Sequence, residues 1–319
     1  MISVVLSTIS FLLAFVATLT IVALGGMFSE KSGTLALSLE GSMTIGAFCS
    51  GVAMYLLPAS VPNWISVIIV ILAAIIGAGI YSLLLGVACI TFKANQTLIG
   101  TALNILSTAI AVVLIKLMTK TEALPVGNSR LNFTRYYEIF NFNLFGMQGV
   151  RFNWLIFIVL VAIPIIYIVI YKSRFGLRLV SCGENPSSAD SLGINVNKTR
   201  YIGVILSGMF AGFGGLLLIS MGAEWEFANG AAGFGFLALA VLIFGQWKPI
   251  YIFLGAFVFS IFKTLSIVYP SIDFLNNLGL SSYFYLALPY VVCLIVLVFT
   301  SKKNVGPKAL GEPYDKGKR

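Results

Sequence analysis

The sequence predicts an all-α polytopic membrane protein, a bundle of about nine transmembrane helices within a range of roughly eight to ten. Three observations predict it. Of 319 residues, 59% are hydrophobic and only 10% charged, with a mean hydropathy of +1.00, whereas a soluble domain carries about 25% charged residues to cover its surface. The apolar residues come in continuous runs rather than in the alternating pattern of a β-barrel. Glycine is abundant, at 31 residues, as expected where helices approach closely in lipid.

The candidate spans are residues 3–26, 38–57, 64–90, 98–118, 153–171, 201–221, 231–246, 249–269 and 283–300. A crossing helix needs about 20 residues at a rise of 1.5 Å each. The run 3–26 is too long for a signal-peptide core and lacks a basic segment before it, so it is read as the first span. The run 38–57 carries Glu40 and the run 231–246 is short, which makes each a candidate for a broken or re-entrant helix. The run 64–90 is long enough to tilt or to project from the bilayer. Trp64, Trp154, Trp225 and Trp247 all fall at span ends, where indole rests with its ring in the interface and its N–H wet.

Basic residues orient the bundle. If the segment 172–200 is cytoplasmic, alternation places Lys31, Lys93, Lys248 and the basic tail 301–319 on the same side. Lys120, Arg130, Arg135 and Arg151 are left outside, with the N-terminus. The outer segment 119–152 is then the longest polar loop outside and reads as an ordered lid or a docking surface.

Several functions are excluded. A net charge of +9 follows from the cytoplasmic loops, and no soluble domain offers a basic face to nucleic acid. There is no histidine, so neither an imidazole metal site nor a Ser-His triad exists. Cys49, Cys89, Cys182 and Cys293 form no CxxC pair and read as small packing residues. No GxxxxGK[ST], GxSxG or HExxH motif occurs, so no catalytic residue, metal ligand or nucleotide-hydrolysing loop is assigned, and the chain is not expected to be an enzyme. Carriers driven by protons or sodium use intramembrane carboxylates. Glu40 is the one clear candidate here, so energy is expected from elsewhere.

The segment 172–200 supplies the route. Asn185 can cap a helix by accepting a backbone N–H, Pro186 suits its first position, and Gly193 suits a left-handed C-terminal cap. These frame a helix of about seven residues, Pro186–Leu192, too short to be stable alone in water. It needs a partner surface, into which Ala189 and Leu192 can insert, or it rests as an amphipathic turn on the membrane. Two further Gly-bounded segments, Ser32 to Phe48 and Gly233 to Gly245, run in opposite directions. That is the pattern of an inverted repeat with interrupted helices framing a substrate site.

Arg174-Phe175-Gly176 through Arg178, followed by Gly183-Glu184-Asn185-Pro186 to Gly193-Ile194-Asn195, resembles the coupling loop of ABC importer permeases of the ribose and branched-chain amino acid type. Ser29-Glu30-Lys31-Ser32-Gly33 with Leu39-Glu40-Gly41 and Gly46-Ala47-Phe48 resembles the first-half motif of the nucleoside subgroup. Ala94-Asn95-Gln96-Thr97 with Ala102-Leu103-Asn104, Gly233-Phe234-Gly235-Phe236 through Gly245-Gln246-Trp247, and Pro307-Lys308-Ala309-Leu310-Gly311-Glu312-Pro313-Tyr314 resemble later segments of that subgroup. One departure is Ala36, where the subgroup usually has an Asn whose amide would serve the helix break or a polar contact.

The resemblance implies one transmembrane permease domain over 1–319 with a type II ABC importer-like bundle, a cytoplasmic coupling loop at 172–200 and a basic tail at 301–319. It implies the shorter permease subunit of an ATP-driven nucleoside importer in the bacterial cytoplasmic membrane. Simple sugars such as ribose, or branched-chain amino acids, are the alternative cargo, and a stand-alone carrier or channel is a more distant reading. The implied partners are a longer homologous permease, an ATP-binding subunit holding ATP and Mg²⁺, and an extracellular substrate-binding lipoprotein; the chain itself would hold no cofactor. Gly183, Glu184, Asn185, Pro186, Ala189, Leu192 and Gly193 would form the ATPase contact. Glu224 and Glu226, flanking Trp225 on an outer loop, can meet basic residues of the binding protein or simply form a solvated loop.

Candidate pathway residues are Glu40, Phe48, Asn104, Phe234 and Phe236. Glu40 can cap backbone N–H groups at a helix break or contact substrate. Asn104 can bond a ribose hydroxyl, a base edge or another helix. The phenylalanines can stack on a nucleobase, close a gate or simply pack. Lys263, costly in lipid, should face the interior or an acid.

Overall fold

The computed structural model describes residues 2–58, 60–120, 140–143, 151–221, 230–271, 281–300 and 306–315. Glu224, Trp225, Glu226, Arg130, Arg135, most of the outer segment 119–152 and the ends of the tail lie outside the described residues.

The helices follow the apolar runs. They are α1 (Ile2–Lys31), α2 (Leu39–Leu56), α3 (Asn63–Gly86, continued by a π turn, Val87–Thr91) and α4 (Gln96–Thr119). A two-stranded hairpin, β1 (Asn141–Asn143) and β2 (Arg151–Asn153), precedes α5 (Leu155–Lys172), α6 (Arg174–Glu184) and α7 (Pro186–Ser191). Then come α8 (Val196–Met221), α9 (Phe234–Phe244), α10 (Pro249–Val268) and α11 (Ser282–Thr300).

Six helices are long and apolar enough to cross a membrane, namely α1, α3, α4, α5, α8 and α10. The expected count of nine full spans is therefore not met among the described residues, and the reason is physical. Helix α9 has only 11 residues, about 16 Å at 1.5 Å per residue and half of a roughly 30 Å hydrocarbon core. Helix α2 begins late and opens on Glu40, Ser42 and Thr44. The described apolar part of α11 is Ser282–Ile295.

Helix α8 is the axis. It packs on α1, α2 and α3, and small residues bring the backbones together. A Cβ on Gly46 of α2 would stand 2.3 Å from the Cα of Gly212 in α8, so only glycine permits that crossing. Phe28 of α1 stacks on Phe210 of α8, with ring centroids 5.7 Å apart. Helices α3, α4, α5, α10 and α11 turn rows of exposed Ile, Leu, Val and Phe outward, the faces lipid would cover.

Contacts show which segments share an end of the bundle. The end of α1, the turn before α4, the segment from α6 to the start of α8, and the tail all meet: Gly183 presses on the Lys31 carbonyl, and Lys93 pairs with Asp315 at 3.1 Å. At the other end of α8, Ser220 accepts a 2.6 Å bond from Asn153 Nδ2 at the base of the hairpin. The hairpin, paired Asn141↔Asn153 to Asn143↔Arg151, is the one departure from an all-helical chain among the described residues.

Two expectations are corrected. The segment 172–200 is not a loop carrying one helix, because α6 fills its first half with Leu179 and Cys182 turned inward. The Trp247 indole N–H is not wet. The residue is 6% exposed, and its Nε1–H donates to Glu30 Oε2 at 2.6 Å.

Candidate translocation site

Both interrupted segments are present, and they meet. After α1 the chain turns at Gly33 and runs extended beside α4. The Leu35 N–H donates to Gln96 Oε1 at 2.8 Å, and the Leu37 carbonyl accepts from Asn104 Nδ2 at 2.8 Å. Gln96 and Asn104 are about 12 Å apart along a helix rising 1.5 Å per residue, so α2 starts that far into the bundle. Asn104 Oδ1 accepts the Gly41 N–H at 2.8 Å, which satisfies one of the orphan donors of a buried helix start. Ala36 does not cost the break. Gln96 and Asn104 of α4 bond the backbone on either side of it, so the break is held from elsewhere.

The start of α9 lies against the start of α2. Gly233 is its N-cap, in the left-handed region at φ +79° and with no side chain to supply a cap. Glu40 supplies it across the bundle: Oε1 accepts the Gly233 N–H at 2.9 Å and Oε2 accepts the Gly235 N–H at 2.7 Å. A carboxylate on a helix N-terminus is favoured by the dipole and by the free N–H groups together. A Cβ on Gly235 would come within 2.4 Å of the Glu40 backbone nitrogen, so that contact too requires glycine.

A cavity of about 840 Å³ opens at this junction. It is lined by Glu40, Thr101, Asn104, Thr108 and Phe236 with aliphatic neighbours of α4. That size and that mix of apolar wall with a few polar groups suit a small organic solute. Of the five residues expected on the pathway, Glu40, Asn104 and Phe236 line it. Phe48 is buried in the core cluster. Phe234 turns the other way, its ring 5.3 Å from that of Phe15 and under Lys263 Nζ at 4.9 Å. Lys263 is indeed interior, within electrostatic reach of Glu40. Asn104 spends its amide on the backbone of the break rather than leaving it free.

The segment that leads into α7 follows the capping pattern. Asn185 Oδ1 accepts the Ser188 N–H at 3.0 Å, Pro186 opens α7, and Gly193 has φ +79°. The two apolar residues of this segment part company. Leu192 is 81% exposed, whereas Ala189 is 1% exposed and packs with Cys182 and Val196 inside the chain. Ala189 therefore cannot insert into a partner as expected; its face is already used. Burial pushes the Cys182 thiol up, consistent with a packing role. Glu184 lies within electrostatic reach of Lys31.

Sequence reasoning missed the Glu30–Trp247 bond and Arg200. The only signal for either was an acid and a cation placed inside predicted or adjoining apolar runs.

A bundle with interrupted helices meeting at an open cavity, and a short capped helix at the end where α1 and the tail meet, has the architecture of a membrane permease. The chain belongs to the family described as branched-chain amino acid transport system / permease component, whose model matches residues 8–301. It is similar to the guanosine ABC transporter permease protein NupQ of Bacillus subtilis, 35% identical over 314 residues, 96% of each chain. It is equally similar to the nucleoside ABC transporter permease protein NupC of Lactococcus lactis, 35% identical over 312 residues and again 96% of each chain. In fold it resembles a solved structure described as an ABC transporter of the metal-chelate type in an inward-facing conformation. The TM-score is 0.50 at 16% identity, with 92% of this chain and 85% of the other covered. The chain is thus a multi-pass transport component that works with other ABC transporter components, and not an enzyme.

Proposed function

We propose that this chain is a permease subunit through which nucleosides cross the bacterial cytoplasmic membrane in an ATP-driven importer. The observation that carries the reading is full-length similarity to two permeases named for guanosine and for nucleosides. The cavity suits that cargo: Phe236, 47% exposed, offers a face for a base, and Thr101 and Thr108 offer hydroxyls near it. The helix α7, with Leu192 outward, is the contact for an ATP-binding subunit that holds ATP and Mg²⁺. The segment 172–200 is the coupling region, and the other partners are a longer homologous permease and a substrate-binding lipoprotein. ATP binding biases a two-state bundle because the ATPase contacts the two states differently.

The test is uptake of labelled uridine, guanosine, ribose and leucine in cells expressing the whole operon, with and without Leu192→Asp. Nucleoside uptake that disappears in the variant, with the protein still in the membrane, is the expected result. Ribose or leucine uptake would replace the cargo but keep the machine. Uptake indifferent to the variant would reject the coupling role and restore a stand-alone carrier.

A further inference from the structure

Arg200, the fifth residue of α8, is a cation buried to 2% exposure that makes no salt bridge among the described residues. Its acceptors are two main-chain carbonyls from distant segments: Nε donates to Ser32 at 3.2 Å and Nη1 to Glu312 at 2.8 Å. Nη2 is buried without a hydrogen-bond partner. Burying a cation is costly unless it is hydrogen-bonded, so the compensation this guanidinium has comes from those two carbonyls staying in place. Gly33, at φ +97°, admits it; a Cβ there would lie 2.7 Å from Nη2.

The Glu312 carbonyl belongs to a tail that crosses the whole cytoplasmic face. Gly306 lies on Trp247. The Ala309 N–H donates to the Gly183 carbonyl at 2.9 Å, and the Gly311 N–H to the Gly33 carbonyl at 3.1 Å. Tyr314 packs on the cluster of Cys182, Ala189 and Val196 behind α7, and Asp315 pairs with Lys93. One ten-residue segment (306–315) thus ties the back of α7 to the α1–α2 break, the α9–α10 turn and the turn before α4.

We propose that this tail and Arg200 form a strap that carries displacement of α7 to the α1–α2 break, and through the extended residues beyond Gly33 to Glu40 and the cavity. The inference rests on the reading of α7 as the ATPase contact. Its physical basis is that α7 has six residues and no rigidity of its own, so a push on Leu192 reaches the bundle only through what backs it. The strap supplies that backing, and Arg200 is a positioning residue that locks strap and break together.

The experiment uses the complete complex with its partner subunits in proteoliposomes. Wild type, Arg200→Lys and a chain ended after Val305 are compared for uptake per ATP hydrolysed and for retention of the ATP-binding subunit. The expected result is that both variants retain the subunit and hydrolyse ATP while uptake per ATP falls by about tenfold or more, the scale of a typical coupling energy. Uptake per ATP unchanged in both variants overturns the strap. So does a parallel fall in uptake and hydrolysis, which marks a merely structural role. Should Arg200→Lys fail to assemble, the shortened chain decides, since it leaves every helix intact. Wild type that imports ribose or leucine instead rejects only the cargo, and the ratio is then read with that solute. Wild type whose uptake ignores ATP rejects the coupling reading itself and the strap with it.

Discussion

Glu30 and Glu40, one on either side of the α1–α2 break, hold opposite ends of the same half-helix. Glu40 accepts the Gly233 and Gly235 N–H groups at the start of α9, and Glu30 accepts the Trp247 indole N–H just past its end. The first break therefore grips α9 at top and bottom. A half-helix too short to span the membrane is fixed in depth by two carboxylates rather than by its own hydrophobic length.

Replacing Glu40 should be felt first in transport. Glu40→Gln keeps one carbonyl oxygen for two N–H donors and loses the charge that favours a helix N-terminus. About 1–3 kcal/mol of local stability is expected to go, and uptake should fall clearly below wild type at equal membrane abundance. Glu40→Ala should be worse. Quantitative immunoblotting alongside nucleoside uptake checks both; wild-type uptake by Glu40→Ala would refute the cap.

Trp247→Phe removes the donor while keeping most of the ring. It leaves a buried carboxylate short of a partner, and a loss of about 1–3 kcal/mol is expected. Combining it with Glu30→Gln should cost less than the two singles together, because both act on one bond. Thermal inactivation in detergent measures the cycle, and strict additivity would show that the bond contributes nothing.

Asn104 offers a graded test. Asn104→Asp keeps the acceptor for Gly41 and loses the donor to Leu37. Asn104→Leu leaves both backbone groups unmet in the bundle, and its cost should be larger, about 2–4 kcal/mol. The order of melting temperatures should be wild type, Asp, Leu. Tolerance of Leu would mean the break is held without this amide.

Thiol labelling should separate the two faces of the segment around α7. Cys182 is fully buried and its thiol is pushed up by that burial, so it should resist maleimide until the protein unfolds. A Leu192→Cys chain should label rapidly and become protected when the ATP-binding subunit is added. Fast labelling of Cys182 in the folded protein would place the inner wall of α7 in solvent.

What the sequence made legible was local. Asn185, Pro186 and Gly193 announce α7 because caps are decided within a few residues, and the structure places each as expected. Glu40 was legible as a capping acid, but not its partner. Gly233 lies 193 residues away, and nothing local names it. Nine full spans do not appear among the described residues, because hydropathy registers apolar content and not depth. The α2 start, reached only after an extended climb along α4, reads in sequence like any other span. Helix α6 was missed because its charged outer face masks Leu179 and Cys182, whose inward direction is set by the end of α1. Trp247 was misplaced for the same reason, its buried partner Glu30 being far off in the chain.

The tail's place in chain order has a consequence for biogenesis. Arg200 enters the membrane bundle with α8, while the carbonyl it needs from Glu312 is synthesised only after α9, α10 and α11 have emerged. Until then one of the two main-chain acceptors of the guanidinium is missing, and water must take its place. A chain halted before the strap would keep its helices but expose an unsatisfied arginine beside a loosely backed α7. Burial of Arg200 thus waits on a residue 112 positions further along the chain, so the first turns of α8 and the tail are completed together.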